Sequence, residues 1–173
     1  MRRVNTFIGS AVERVEDLRF LRGRGQYLDD IDRPDQWHAA IVRSPVAHGL
    51  IRAIDTEAAL AMPGVRAVMT ARDVGRPIPT IPFRRPNPTI APYAQPVMAE
   101  RVVRYVGEPV AMVLADSAEL AEDAVQTIGL DIEHLPAVTD RHASAKGDVL
   151  LIDGTSTNCA SVFTARAGDV ASA

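Results

Sequence analysis

Glu108 is the carboxylate whose neighbours in the sequence predict the most unusual environment. It lies between Gly107 and Pro109, at the start of the run PVAMVLA, which is apolar at every position. A strand that is apolar on both faces is typically covered on both sides, so we expect Glu108 to be partly buried. A buried carboxylate needs a hydrogen-bond partner, and a structural partner is favoured here over a catalytic role.

Ser44 and His48 place a hydroxyl group near an imidazole ring in the segment SPVAH. A serine nucleophile needs a strained turn and free backbone N–H groups that form an oxyanion hole. Pro45 has no N–H to offer beside the serine. We therefore interpret this segment as a turn and not as a nucleophilic site.

The four histidines show no metal-binding spacing along the chain. They are His38, His48, His134 and His142, and no two of them are four residues apart on a predicted helix. His38 and His48 could meet across a hairpin, but structural or surface roles are favoured for all four.

Two further segments contain residue types that are common in ligand-binding loops, but they lack the spacing that such loops require. The acidic cluster Asp29, Asp30 and Asp32 lacks the alternating oxygens, central glycine and closing glutamate of an EF-hand, which favours a solvated loop. The segment Gly23-Arg24-Gly25 follows a predicted helical turn and not a strand. That context favours a backbone turn over a phosphate-binding loop.

Cys159 is the one cysteine of the chain, which excludes an internal disulfide and a cysteine-rich metal or iron–sulfur site. Neither a neighbouring base nor a helix start activates its thiol. From residue types and spacing we therefore predict no catalytic, cofactor-binding or metal-binding residue in this chain. A small independent enzyme that uses Glu108 or the histidines is the least favoured interpretation.

The composition is typical of an ordinary globular protein, with 173 residues of which 47% are hydrophobic and 24% charged. The net charge of -3, from 22 acidic and 19 basic residues, offers no basic face for nucleic acid. No apolar run approaches the roughly 20 residues of a membrane span. The start MRRVNTFIGS lacks the apolar stretch of a secretory signal. We therefore expect a cytoplasmic protein that neither binds nucleic acid nor spans a membrane.

Hydrophobic periodicity predicts two strand–helix–strand units, over 49–70 and 109–134, in one α+β domain. The predicted strands are 37–44, 49–54, 65–70, 101–106, 109–115 and 130–134, and the predicted helices are 17–21, 57–62 and 117–128. The first two strands are expected to form a hairpin or a bent ribbon, and 149–152 is a further possible strand. Asp116 is expected to cap the helix 117–128, with Glu119 completing a capping box and Gly129 following its end. The expected core consists of Ile41, Val42, Ile51, Ile54, Val68, Val110, Met112, Leu114, Val125 and Ile128.

Residues 77–96 contain seven of the twelve prolines, which excludes a helix or an interior strand there. The same segment carries large apolar side chains that need a surface to pack on. We interpret it as an ordered excursion lying across a surface, which need not belong to this chain. In that case the isolated domain exposes an apolar patch there.

Three segments taken together resemble a known family. They are VEDLRFLRGRGQYLDDI, HAAIVRSPVAHGLIRAIDTEAALAMPGVRAVMTARDV and RYVGEPVAMVLADSAELAEDAVQTIGLDIEHLPAV, in this order over about 15–138. They resemble the N-terminal a/b hammerhead domain of molybdenum-hydroxylase large subunits, which include aldehyde oxidases, xanthine dehydrogenases and carbon monoxide dehydrogenases. The closing Gly168-Asp169-Val170 is similar to the point where the next domain begins in that family.

The resemblance implies a single a/b hammerhead-like α+β domain over 15–140, with two β-α-β units and a proline-rich excursion. Residues 1–14 would be a lead-in, and 141–173 an extension toward an absent molybdopterin-binding domain. In the family, a molybdenum atom held by a pterin dithiolene inserts water-derived oxygen into a substrate, and electrons leave through iron–sulfur and FAD partners. The molybdenum-site contacts and the glutamate base lie in later domains. No catalytic or cofactor-binding residue is therefore carried over to this chain.

Two functions follow as expectations. The first is a structural domain, as a fragment or a split subunit, of an oxidoreductase that hydroxylates aldehydes or N-heterocycles or oxidises CO. It would pack against the molybdopterin-binding domains of the large subunit, with iron–sulfur and FAD subunits as further partners. The alternative is a free-standing interaction or scaffold module without a redox role. In either case the chain is not expected to be active alone.

Overall fold

The computed structural model describes residues 8, 11, 13–84, 87–165 and 167–168. The chain forms two compact units, Met1–Gln36 and Trp37–Ala173. The first contains helix α1 (Asp17–Leu21) and a short 3-10 helix over Leu28–Asp30. Helix α1 confirms the sequence prediction, and Gly23 follows it with a positive φ of 65°. The rings of Phe20 and Tyr27 stack with centroids 5.8 Å apart, so helix α1 contacts the residue that precedes the 3-10 helix.

The second unit is built from two three-stranded antiparallel sheets. The first sheet contains β1 (His38–Arg43), β3 (Val65–Thr70) and β5 (Pro109–Ala115), in the order β1-β5-β3. The second sheet contains β2 (Gly49–Asp55), β4 (Val102–Val103) and β6 (Gly129–His134), in the order β4-β2-β6. This unit also contains helices α2 (Glu57–Leu60), α3 (Ala118–Gln126) and α4 (Arg141–Lys146) and a short 3-10 helix over Ala91–Tyr93. The mixed α+β class is confirmed.

Both predicted strand–helix–strand units are present, and each of them passes from one sheet to the other. The unit β2-α2-β3 begins in the second sheet and ends in the first, and the unit β5-α3-β6 runs the opposite way. The expected hairpin between the first two strands is wrong, because β1 pairs with β5 while β2 pairs with β4 and β6. Strand β5 is apolar on both faces, and it lies in the centre of its sheet between β1 and β3.

The core lies on the side of the first sheet that faces α3. Alternate β5 residues Ala111, Val113 and Ala115 are fully buried there. Small residues allow the helix to approach the sheet closely, and Ala121 of α3 packs against Ala115.

Seven of the ten expected core residues lie in or against this core. Val42 and Val110 are buried, and Ile51, Ile54, Val68, Val125 and Ile128 pack against the buried cluster. The expectation was wrong for Ile41, Met112 and Leu114, which are only half-buried and belong to neither core cluster. Each of the three lies between two buried neighbours along its strand, so its side chain faces the opposite side of the sheet from those neighbours.

The boundaries of α3 differ from the sequence prediction at both ends. Ser117, not Asp116, is the N-terminal cap, and its Oγ accepts a hydrogen bond from the backbone of Leu120 at 3.2 Å. Asp116 instead forms a two-pronged ion pair with Arg66, at 2.6 and 2.7 Å. Gly129 is the first residue of β6 and not a helix cap.

The region after β6 was also predicted incorrectly. Residues 149–152 form turns and not a strand. Helix α4 was missed, although Asp140 Oδ1 caps its start by accepting from the backbone of His142 at 3.0 Å and of Ala143 at 2.8 Å. Gly147 ends it with a φ of 79°. Among the described residues, no helix combines the length and the apolar character needed to cross a membrane.

Candidate functional site

Two linkers between the sheets hold the polar side chains that the sequence singled out. Among the described residues, the buried polar or charged side chains are Ser44, His48 and Glu108. Ser44 and His48 lie between β1 and β2, and Glu108 lies between β4 and β5. Each linker leads from one sheet to the other, so these side chains are positioned where the two sheets are joined.

Glu108 is completely buried and is bound by its own turn. Its Oε2 accepts a hydrogen bond from the backbone N–H of Arg104 at 2.5 Å, and its Oε1 accepts one from Arg104 Nη1 at 3.0 Å. Gly107 makes the turn possible with a φ of 91°, a conformation that L side chains rarely adopt. The prediction of a buried carboxylate with a structural partner is confirmed, and the partner is Arg104.

The two linkers are hydrogen-bonded to each other through their backbones. The N–H of Ser44 donates to the carbonyl of Glu108 at 2.9 Å, and the N–H of Gly107 donates to the carbonyl of Ser44 at 2.8 Å. Arg43 Nη1 adds a hydrogen bond to the carbonyl of Gly107 at 2.9 Å. Because both linkers are fixed in this way, the turn that carries Glu108 is a rigid part of the junction.

Ser44 and His48 each have partners that leave no nucleophile–base pair. The Oγ of Ser44 accepts from the backbone N–H of Val46 at 3.0 Å and contacts the carbonyl of the same residue at 2.9 Å. His48 Nδ1 lies 2.7 Å from the carbonyl of Pro136, and because a carbonyl only accepts, Nδ1 is the donor. The carbonyl of His48 accepts from Leu135 at 2.9 Å. This arrangement ties the chain after β6 to the first linker and agrees with the predicted turn.

The remaining histidines and the cysteine are dispersed over the second unit. His38 starts β1, His134 ends β6, and His142 lies in α4. His38 and His48 do not meet across a hairpin, since that hairpin does not form. Cys159 is exposed.

The acidic cluster lies in the first unit and caps local turns. Asp30 Oδ2 accepts from the backbone of Tyr27 at 2.9 Å, and Asp32 Oδ1 accepts from Gln36 Nε2 at 3.2 Å. In the part of the chain that the structure describes, no three His, Cys, Asp or Glu side chains are placed to hold a metal ion. These residues therefore present no donor set that fits a metal ion.

In the second unit, hydrogen bonds in turns and ion pairs with arginine lower the pKa of exposed carboxylates. The guanidinium of Arg66 holds the pKa of Asp116 below its ordinary value, and that of Arg76 does the same for Glu100. Both pairs lie at the surface, where solvent screens their attraction. They stabilise local geometry and do not point to catalysis.

Asp73 provides a test of this electrostatic interpretation. Hydrogen bonds from the N–H of Thr70 at 2.7 Å and from its Oγ1 at 2.9 Å hold the pKa of Asp73 below its ordinary value of 3.8. Such a carboxylate stabilises the fold above its unfolded-state pKa, and the contribution is lost as the pH falls through the folded-state pKa. We expect Asp73→Asn to be less stable than wild type in urea unfolding at neutral pH, with a difference that shrinks between about pH 5 and about pH 2. A difference that stays constant over this range would contradict the prediction.

The proline-rich segment lies outside the core of this chain. None of its described residues from 77 to 96 is buried, and Ile81 is 49% exposed. The segment is pinned at its ends by a bridge between Thr80 and Pro96, and Tyr93 Oη donates to the carbonyl of Thr157 at 2.9 Å. Of its large apolar side chains Ile81 is exposed, whereas Ile78, Phe83, Ile90 and Tyr93 are half-buried.

A second exposed apolar feature was missed by the sequence analysis. The predicted strand 101–106 ends at Val103, and the turn that follows exposes Tyr105 by 40% and Val106 by 63%. The signal that could have revealed it is Gly107, since a glycine directly before a buried Glu-Pro pair indicates a tight turn.

Comparison with known proteins gives a consistent match. Residues 22–136 match the family described as aldehyde oxidase and xanthine dehydrogenase, a/b hammerhead domain. The chain is 46% identical over 140 residues to the nicotine 6-hydroxylase large subunit of Paenarthrobacter nicotinovorans, covering 81% of this chain and 17% of that protein. It is 42% identical over 133 residues to the carbon monoxide dehydrogenase large chain of Hydrogenophaga pseudoflava, covering 77% and 16%.

The structural comparison agrees with the sequence matches. Quinoline 2-oxidoreductase from Pseudomonas putida 86 superposes with a TM-score of 0.70 and 38% identity, over 86% of this chain and 19% of that one. The chain therefore spans only about one sixth to one fifth of the length of the proteins it matches.

Proposed function

The chain belongs to the a/b hammerhead domain family of aldehyde oxidases and xanthine dehydrogenases, and from that premise we propose that it is a structural domain of a molybdenum-dependent oxidoreductase. In this proposal it packs against the molybdopterin-binding domains of the large subunit and helps to hold them in place. The hammerhead domain extends over 15–140, around the family match at 22–136. Residues 1–14 and 141–173 are its flanking segments.

One observation carries the proposal: the buried polar side chains of this chain serve its own architecture. Ser44, His48 and Glu108 all bond to the two linkers between the sheets or to the chain after β6. A catalytic group must instead keep a lone pair or a proton available to a substrate. Because these side chains are used for hydrogen bonds within the domain, they favour a structural role over an active site.

The cofactors belong, in this proposal, to other parts of the enzyme. The molybdopterin-molybdenum group lies in the later domains of the large subunit, and iron–sulfur and FAD groups lie on partner domains or subunits. We assign no residue of this chain to any of these groups. The substrate is an aldehyde, an N-heterocycle or CO, and the location is cytoplasmic.

The test is complementation of a relative that lacks the matching region. The nicotine 6-hydroxylase complex of Paenarthrobacter nicotinovorans is produced with a large subunit from which the matching 140 residues are removed, with and without this chain. We expect the chain to raise both the bound molybdenum and the rate of nicotine oxidation. The intact relative serves as the upper reference. If the chain changes neither quantity, the proposal fails and a free-standing scaffold module becomes the better interpretation.

A further inference from the structure

A tight turn after α4 carries the one Asp-Gly pair of the chain, Asp153-Gly154, and the sequence contains no Asn-Gly pair. The backbone N–H of Thr155 donates to the carbonyl of Ile152 at 3.3 Å, and Thr155 Oγ1 donates to the same carbonyl at 2.8 Å. Asp153 and Gly154 are therefore the two central residues of a β-turn, and both are exposed.

The backbone nitrogen of Gly154 is open to approach. Gly154 has a φ of 78°, and a Cβ added there would meet no atom within 4 Å beyond its two chain neighbours. Among the described residues, its N–H donates no hydrogen bond. Glycine also has no Cβ of its own to shield the nitrogen. This nitrogen is therefore available to the carboxyl group of Asp153, the residue directly before it.

The carboxyl group of Asp153 is also accessible. Its side chain is 74% exposed, and its Oδ2 is hydrogen-bonded to Nη2 of Arg101, whose side chain is 72% exposed. An ion pair that is so exposed to solvent contributes little free energy. The pair therefore presents only a small barrier to rotation of the carboxyl group toward the nitrogen of Gly154.

The hydrogen bonds that hold this part of the chain do not involve Asp153 or Gly154. The side-chain oxygen of Asn158 accepts from the backbone N–H of Leu151 at 3.0 Å, and Asn158 Nδ2 donates to the carbonyl of Val149 at 2.7 Å. None of the residues from 141 to 160 is buried. A covalent change at the tip of the turn therefore breaks none of these bonds and displaces no core residue.

We propose that Asp153-Gly154 is a site of spontaneous isoaspartate formation, which makes this chain a substrate for enzymes that methylate isoaspartyl residues. The nitrogen of Gly154 attacks Cγ of Asp153 and forms an N–Cγ bond, because the two groups are held next to each other in the chain. The Cγ–O bond breaks, and the carboxyl OH group and the amide proton leave as one water molecule.

The product of this first step is a five-membered succinimide ring, which water then opens. Addition of water at Cγ restores aspartate. Addition at the backbone carbonyl carbon of Asp153 gives isoaspartate, in which the main chain runs through Cβ and Cγ and the α-carboxyl group is free. The two steps release and consume one water molecule, so no oxidant or cofactor is needed. The reaction does not depend on the oxidoreductase assembly.

The experiment follows isoaspartate in the purified full chain during incubation at neutral pH and physiological temperature. Trypsin cleaves after Lys146 and Arg166, and the peptide 147–166 contains both Asp153-Gly154 and Asp148-Val149. Chromatography with electron-transfer fragmentation locates isoaspartate in this peptide, and methyl transfer from S-adenosylmethionine by an isoaspartyl methyltransferase measures it independently. We expect at least about 10-fold more isoaspartate at Asp153 than at Asp148, because the branched side chain of valine shields its nitrogen and glycine has none.

Two variants test the roles of the two residues. Gly154→Ala is expected to lower the rate at position 153 by about 10-fold, because a Cβ now shields the attacking nitrogen. Asp153→Asn is expected to form isoaspartate faster than wild type, because the same ring closure then releases ammonia, a better leaving group than water from a carboxylate. Circular dichroism shows whether each variant is folded, and Asp153→Asn gives the result if Gly154→Ala is not.

A synthetic peptide of residues 147–166 gives the rate without the fold. We expect the folded chain to form isoaspartate at Asp153 within about 5-fold of the rate in this peptide, because the turn leaves both reacting groups accessible. A folded chain that is slower by more than this would show that the fold protects the pair, which overturns the proposal. Equal amounts of isoaspartate at Asp148 and Asp153, or an Asp153→Asn protein that stays unchanged, would overturn it as well.

Discussion

Replacing Glu108 with alanine is expected to lower the free energy of unfolding by about 3 kcal/mol. The substitution removes a fully buried carboxylate and leaves the N–H of Arg104 without its acceptor at 2.5 Å. It also leaves the Arg104 guanidinium, whose side chain is 23% exposed, without its ion-pair partner. Urea unfolding monitored by circular dichroism measures the loss. We place it at the lower end for a broken buried pair because water can still reach part of Arg104.

Two further variants separate the contributions at this site. Glu108→Gln keeps an oxygen that can accept from the N–H of Arg104 but removes the charge, so we expect it to lose about half as much stability. Glu133→Ala breaks the exposed pair with Arg52, in which both side chains are about half exposed. We expect that control to lose no more than about 1 kcal/mol. Equal losses for Glu108→Ala and Glu133→Ala would show that the buried pair does not hold the linkers.

Gly49→Ala is expected to lower the free energy of unfolding by about 2 kcal/mol, although the added methyl group is the smallest possible. A Cβ at this position would lie 2.7 Å from the carbonyl oxygen of Glu133 and 2.6 Å from Cγ2 of Ile132. The carbonyl belongs to the neighbouring strand β6, so relief of the clash requires a backbone shift at the start of β2. The usual gain from restricting the unfolded chain, about 0.4–1 kcal/mol, offsets only part of this cost.

Gly129→Ala is the matched control on the same pair of strands. Gly129 lies opposite Asp55 at the other end of the β2–β6 pairing, and an added Cβ there would meet only the Asp55 side chain at 3.3 Å. We expect its effect on the free energy of unfolding to stay within about 0.5 kcal/mol. Thermal and urea unfolding of both variants give the comparison. A Gly49→Ala protein as stable as the Gly129→Ala protein would mean that the strands separate without cost at this point.

The polar site was partly predictable because its main signal is local. Glu108 precedes an apolar run in the sequence, and this context predicted a buried carboxylate with a structural partner. Pro45 likewise indicated a turn at Ser44 and not a nucleophile, and the hydrogen bonds of Ser44 to Val46 agree. The identity of the partner was not predictable, because Arg104 reaches Glu108 only after the turn at Gly107 has formed.

The sequence could not predict which strands pair with each other. Alternation of apolar residues shows which positions of a strand can be buried, but it does not show which strand lies alongside. The proximity of β1 and β2 in the chain therefore predicted a hairpin that does not exist. Likewise, Met112 and Leu114 are larger than Ala111 and Ala115, yet the alanines are the buried residues. Close approach of α3 to the sheet favours small side chains, and this preference appears only when both elements are in place.

By itself the sequence determined the positions of most helices and strands, the burial of Glu108, and the resemblance to a family, since all three depend on residues near one another in the chain. Only the tertiary structure decided that two sheets form, that the linkers bond through Ser44 and Glu108, and that Tyr105 and Val106 remain exposed. These features depend on contacts between segments far apart in the sequence. The free energy of such contacts is set by the surface and hydrogen bonds that both segments bury together, so no single segment contains it.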